Sequence, residues 1–194
     1  MDAIFKRRSV RKFTDQEVND DQLRVILEAA QCAPHAGPVP SWRFYVVRDK
    51  KLLQSLAAMA DYTAYIKDIS VVIVVAGDLS VGAPEEFWVQ ECSAAAMNIL
   101  TVVEEMNLGA VWIGIYPIMD DIMFVKNNLG LPDDVFPLNI IPIGYPAKHP
   151  GPRVRFDEDR VQQIEWDDVH GENKEEKRKQ RRKIRGGQTE ENSE

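Results

Sequence analysis

Residues Val71 to Ala76 form an unbroken apolar run, and all but Ala76 are β-branched. A strand with one wet face alternates apolar and polar residues, because successive side chains point to opposite faces. This run does not alternate, so it predicts a strand covered on both sides. Such a strand needs a layer of structure above it and another below. The flanking sequence can supply both. Leu23, Ile26, Leu27 and Ala30 fall at helical spacing between Asp20 and Cys32, and Pro34 ends that helix. Lys50 to Met59 reads as an amphipathic helix with Leu52, Leu53, Leu56 and Ala57 inward. Glu85 to Met106 is the longest helical stretch, about 33 Å if regular. It is apolar around much of its circumference, so it must be central or be buried by a partner. Met119 to Leu129 is a further helix closed by Gly130, and Asp2 caps a short one reaching Arg8. Phe44–Val47, Ala110–Tyr116 and Leu138–Ile143 read as the other strands. The order α-α-β-α-β-α-β-α-β predicts a three-layer α+β or α/β domain, with the strand order left open.

Charge divides the chain of 194 residues further. The net charge of −7 splits into +2 on residues 170–194 and −9 on the rest. Lys174 to Arg185 is densely basic, and Ile184 is the only large apolar residue in that stretch, so it cannot build a core. We therefore expect a folded domain over residues 1–168 and a charged, disordered tail over 169–194. The acidic domain argues against a globally basic nucleic-acid binder, leaving only the tail for such a role. Two cysteines cannot make a disulfide framework or a four-cysteine zinc site. The first residues lack an apolar signal region. The longest mostly apolar run, Cys92 to Val103, is shorter than the roughly 20 residues a bilayer requires. A cytoplasmic protein with reduced thiols and no membrane partner is the expectation.

The sequence holds no GxGxxG, no GxxxxGK[ST] and no GxSxG. His35, His149 and His170 are scattered, so no metal site is expected. Three features remain. Lys6-Arg7-Arg8-Ser9-Val10-Arg11-Lys12 packs five cations into seven positions. Arginine presents a planar fork suited to phosphate, although cations at a helix C-terminus also need no ligand. Arg153 and Arg155 alternate on a segment stiffened by Pro150 and Pro152. If the two clusters meet, their mutual repulsion favours an anion between them. Gly114 interrupts an apolar strand pattern, which marks close approach of a ligand or of another backbone.

Together these places resemble the nitroreductase family of FMN-dependent oxidoreductases, over about Met1 to Trp166. Arg7-Arg8-Ser9-Val10-Arg11-Lys12-Phe13 is similar to the family's N-terminal flavin-binding element. Ala33-Pro34-His35 and Ser41-Trp42-Arg43-Phe44 resemble its second element. Gly109 to Pro117 resembles the strand beside the flavin ring, and Ile143-Gly144-Tyr145-Pro146 with Arg153 or Arg155 resembles its phosphate element. Two positions depart from the family. His35 stands where serine is frequent, and Pro38 stands where asparagine is frequent, so Pro38 offers neither a backbone N–H nor an amide.

The resemblance implies a three-layer α/β/α fold of α+β class, with a central, mostly antiparallel sheet, in an intertwined homodimer. It implies FMN held by Arg7, Arg8, Ser9, Arg11, Pro34, His35, Pro38, Ile113, Gly114, Arg153 and Arg155. It also implies ping-pong hydride transfer from NADH or NADPH through FMN to a small-molecule acceptor such as a nitroaromatic or quinone. The cofactor carries the chemistry, so no side chain is expected as a catalytic acid or base. Trp88 is a candidate for the substrate pocket, or else packs a dimer interface. The alternatives are a flavin-binding or sensing protein without turnover and a dehalogenase-like flavin enzyme on the same fold. Both cysteines read as inert.

Overall fold

The computed structural model describes residues 2–151, 153 and 156–166. The chain divides into two units, Met1–Val154 and Arg155–Glu194. Within the second, the described residues carry one 3₁₀ turn, Glu158–Arg160, capped by the Asp157 carboxylate, which accepts from the Asp159 N–H. The charged stretch 169–194 lies outside the described residues.

The first unit is built on Val71–Asp78 (β2), buried at every position. Its antiparallel neighbours are Trp42–Val47 (β1) and Val135–Gly144 (β5). Two short strands, Gly109–Ala110 (β3) and Ile113–Gly114 (β4), pair antiparallel with the far side of β5. The sheet order is β1-β2-β5-β3, with β4 also on β5.

The side chains of β2 then divide between the two faces. Val71, Ile73 and Val75 pack in one core with residues of Asp20–Gln31 (α2) and Trp88–Glu105 (α4), including Ile26, Cys92, Ala96 and Ile99. Val72, Val74 and Ala76 pack in the other with Leu53 and Leu56 of Lys50–Ala57 (α3) and Ile122 and Val125 of Met119–Leu129 (α5). These are the two covering layers that the non-alternating run requires, so the fold is α+β with helices on both faces of an antiparallel sheet.

Local sequence sets the element ends. Asn19 and Gln22 form a reciprocal capping box at the start of α2: the Asn19 side chain accepts from Gln22 N at 2.8 Å, and Asn19 N donates to Gln22 Oε1 at 3.1 Å. The Asp49 carboxylate accepts from Lys51 N and Leu52 N to start α3. Gly130, with φ of 62°, ends α5 in the left-handed conformation.

Several sequence expectations are corrected. The helix Asp2–Lys6 (α1) stops before Arg7 rather than reaching Arg8, because the backbone extends to meet β3 at Ser9. Helix α3 stops at Ala57, and Leu52 is exposed rather than inward. Helix α4 begins at Trp88, after a 3₁₀ turn over Glu85–Phe87, so it is about 27 Å long. Strand 110–116 is not continuous. In the shared register of β3 and β4, Val111 falls opposite Pro142, which has no N–H to give, and the ladder breaks there. A bulge in β5 skips Leu138 between the pairs Val75–Asn139 and Ala76–Pro137. The extra residue puts Leu138 on the α4 face and Ile140 on the other. The 3₁₀ segment Asp61–Asp68, anchored by Thr63 Oγ1 on the Ala57 and Ala60 carbonyls, was not expected.

Candidate functional site

Beyond α1 the chain crosses the sheet edge as a ribbon. Ser9 bridges Ala110, and Val10 N donates to the Ala110 carbonyl at 2.9 Å. Val10 is buried against Gly109, where an added Cβ would come within 2.9 Å of Val10 side-chain atoms. Further on, Thr14 N donates to the Tyr145 carbonyl at 2.8 Å and Ala147 N to the Lys12 carbonyl at 3.0 Å. The Phe13 ring covers Gly144, 3.0 Å from where a Cβ would stand. The ribbon is thus fastened at both ends by its apolar residues. Ser9 and Arg11 are left exposed, and Arg7 and Arg8 half-buried.

This path brings Arg8 to the backbone just before Arg153. Arg8 Nη1 donates to the Gly151 carbonyl at 2.5 Å, across 143 positions of sequence. His149 Nδ1 lies 3.9 Å from the Glu104 carboxylate at the end of α4. Arg153 is exposed, while Pro152 and Arg155 lie outside the described residues. Among the described residues Arg7 and Arg11 form no ion pair with a carboxylate. Burial pushes the Tyr65 phenol up, and the charge of Arg11 opposes that shift.

Gly114 sits on the same side of β5. Its chain neighbour Ile113 is buried, but Gly114 is exposed, and a Cβ there would meet only Trp112 Nε1, at 3.8 Å. A planar group can approach this backbone without a side chain in the way. Across the ladder, Asn139 is fully buried with neither side-chain amide atom hydrogen-bonded.

The loop holding Pro34, His35 and Pro38 is fastened by Glu91, a residue that sequence reasoning missed. Glu91 lies in the first turn of α4 and is 3% exposed. Its Oε1 accepts from Ala36 N at 2.7 Å, and its Oε2 from Ser41 N at 2.9 Å and Ser41 Oγ at 2.6 Å. Burial pushes this carboxyl up. The Ser41 hydroxyl, the two backbone N–H groups and the nearby His35 outweigh burial and hold it below the usual carboxylate range. The ring of His35 donates from Nδ1 to the Gly37 carbonyl at 2.8 Å. Pro34, His35 and Pro38 are exposed. The one sequence signal for Glu91 is that it is the only charged residue between Glu86 and Glu104.

Trp88 is buried in its own chain. Its ring occupies the space beside Gly77 and meets Tyr116 edge-on, with centroids 4.9 Å apart. The exposed aromatic residues nearest in sequence and contact are Phe87 and Tyr116. Burial, with the charge of Glu91 added, pushes the Cys92 thiol up to about 12, whereas Cys32 is exposed. Among the described residues, no group of three or more histidine, cysteine or carboxylate side chains is placed to hold a metal ion, and no helix is long and apolar enough to cross a membrane.

The nitroreductase family model matches residues 4–69 and 62–145. A protein of Methanothermobacter thermautotrophicus named "Putative NADH dehydrogenase/NAD(P)H nitroreductase" is 41% identical over 166 residues, covering 86% of this chain and 87% of that protein. The FMN reductase (NADPH) of Bacillus subtilis is 26% identical over 179 residues, covering 83% and 71%. Among solved structures, an FMN-dependent nitroreductase of Clostridium difficile superposes with a TM-score of 0.78 at 28% identity, covering 86% of this chain and all of that one.

Proposed function

The chain belongs to the nitroreductase family, and from that membership we propose that it is an NAD(P)H-dependent oxidoreductase that binds FMN. The observation that carries the reading is the fastened ribbon Arg7–Phe13. Its Arg7 and Arg11 have no carboxylate partner among the described residues, and it is fastened to Ala110 at the same sheet edge that carries the exposed, side-chain-free Gly114. Relatives named for FMN and for NAD(P)H support the choice of cofactor and donor.

The residues present fit such a group. A flavin mononucleotide needs a cationic end for its phosphate and a bare surface for its ring. Arg7 and Arg8, with Arg153 from the second stretch, would hold the phosphate through charge-assisted hydrogen bonds. Ser9 would donate to the ribityl chain. Arg11 would stand at the pyrimidine edge, where a cation favours negative charge. Ile113 and Gly114 would back the ring, and Pro34, His35 and Pro38 would border it. Trp88 would bound the acceptor side from the core, through its contact with Tyr116. A second copy of the chain would complete the site in a homodimer.

When bound, FMN supplies two-electron transfer between NAD(P)H and an oxidised small molecule, a nitroaromatic or quinone, in a ping-pong cycle. The protein's part is to bind, orient and set the electrostatics. We assign this activity to residues 1–168, with 169–194 as a charged tail.

The visible spectrum of the purified protein is the test. The reading expects flavin absorbance, release of FMN on denaturation, and NADH or NADPH consumption with a quinone acceptor. A colourless protein that FMN does not reconstitute overturns it. Bound FMN without turnover leaves a flavin-binding protein in its place.

A further inference from the structure

We propose that Glu91 is a positioning residue for the cofactor: one buried carboxylate sets the shape of the loop whose outer side borders the flavin. This rests on the FMN reading above. Between Ala33 and Ser41 three of the residues are proline, so the loop has few N–H groups with which to order itself. Two of those that remain, on Ala36 and Ser41, end on the two oxygens of Glu91, and the Ser41 hydroxyl joins them. The carboxylate closes the loop as a buckle closes a strap.

Other contacts fix the strap's ends and middle. The Ser41 carbonyl accepts from Asp78 N at 2.7 Å, which ties the loop to the end of β2. Gly37 lies against Pro84, whose Cδ would stand 2.8 Å from a Cβ at that position. The His35 ring bonds back to the Gly37 carbonyl. Pro34, His35 and Pro38 are then among the exposed residues of a loop that the Ala36 and Ser41 N–H groups tie to Glu91 from within.

The chemistry of the buckle requires an acid. Both oxygens of a carboxylate accept, so three donors can converge on it. Glutamine at position 91 would turn an NH₂ toward an N–H or hydroxyl donor and lose at least one of these bonds. Burying an ionised carboxylate without a cation beside it is costly. Among the described residues, Glu91 has no lysine or arginine partner, and the backbone donors meet that cost instead. Among the described residues the hydrogen bonds of Glu91 end on Ala36 and Ser41, so its effect on the cofactor passes through the loop.

FMN titration of wild-type protein, Glu91→Gln and Ser41→Ala, followed by flavin fluorescence, tests this alongside amide hydrogen exchange of the apo forms. We expect Glu91→Gln to weaken FMN binding at least about tenfold and Ser41→Ala by about threefold. We expect exchange at Ala36 and Ser41 to accelerate in both variants while β2 and α4 amides stay protected. Ser41→Ala keeps the backbone bonds, so it remains a test if Glu91→Gln does not fold. A Glu91→Gln protein that binds FMN as tightly as wild type overturns the inference, as does faster exchange spread evenly over the fold. Wild-type protein that binds no FMN instead overturns the cofactor reading.

Discussion

The ring of Trp88 lies against the bare α-carbon of Gly77: a Cβ at Gly77 would stand 2.4 Å from Trp88 Cε3 and 2.9 Å from Cδ2. Helix α4 can therefore sit this close to β2 only because residue 77 has no side chain. Trp88 is itself held by Tyr116 and Phe136, so it has little room to retreat. Gly77→Ala is expected to destabilise the fold by about 1–3 kcal/mol through overpacking. Urea unfolding checks this, and an unchanged midpoint would show that Trp88 shifts freely.

The arginines of the ribbon make a separate prediction. Arg7→Ala and Arg11→Ala should each raise the FMN dissociation constant by about tenfold, the scale of a charge-assisted hydrogen bond. Lys51→Ala, on the exposed start of α3, should leave it unchanged. Added salt should weaken wild-type binding more than binding by the Arg7 variant. Equal effects of all three substitutions would show that the phosphate end lies elsewhere.

Some of this was legible in the sequence and some was not, for physical reasons. The non-alternating apolar run at Val71–Ala76 required two covering layers, and both are present. The break in strand 110–116 was not legible, because it is caused by Pro142, a residue some thirty positions away that only the register brings opposite. The cationic ribbon was visible as composition, but its junction with the Gly151 carbonyl is a tertiary contact. Glu91 was the hardest to see. Its three donors come from residues 50 and 55 positions earlier, and an acid at the end of an apolar helix reads locally as a solvated residue. The 3₁₀ segment Asp61–Asp68 lacks the 3.6-residue period by which helices are recognised.

Asn139 is buried opposite Gly114 with its amide unpaired. An unsatisfied buried polar group costs about 1–3 kcal/mol, and an apolar group of similar shape removes that penalty. Asn139→Leu should therefore raise the unfolding free energy by about 1 kcal/mol. Thermal or urea unfolding of the apo protein measures it. A clear loss of stability would mean that the amide has a partner in solution.

The two thiols should separate cleanly in reactivity. Cys92 is fully buried with its thiol pushed up to about 12, so almost no thiolate exists near neutral pH. Cys32 is exposed. A disulfide-exchange reagent at pH 8 should modify one thiol per native chain and two after denaturation. Rapid modification of both in the native protein would contradict the burial of α4.

Acid should act on the fold through Glu91. Its carboxyl is held below the ordinary range, so the folded state binds the proton less readily than the unfolded chain does. The sign follows from linkage: the stability this group contributes is fully present above the unfolded carboxylate value and is lost as pH falls through the lower folded value. Protonation would leave one oxygen as a hydroxyl facing the Ala36 or Ser41 donors, so the loop should loosen over the same range. Wild type should therefore exceed Glu91→Gln in unfolding free energy at pH 7, and that margin should shrink as the buffer is taken toward pH 3. Urea unfolding of both proteins across this range measures the margin. A margin that stays constant from pH 7 to pH 3 would show that the charge of Glu91 contributes nothing, and that only its shape is used.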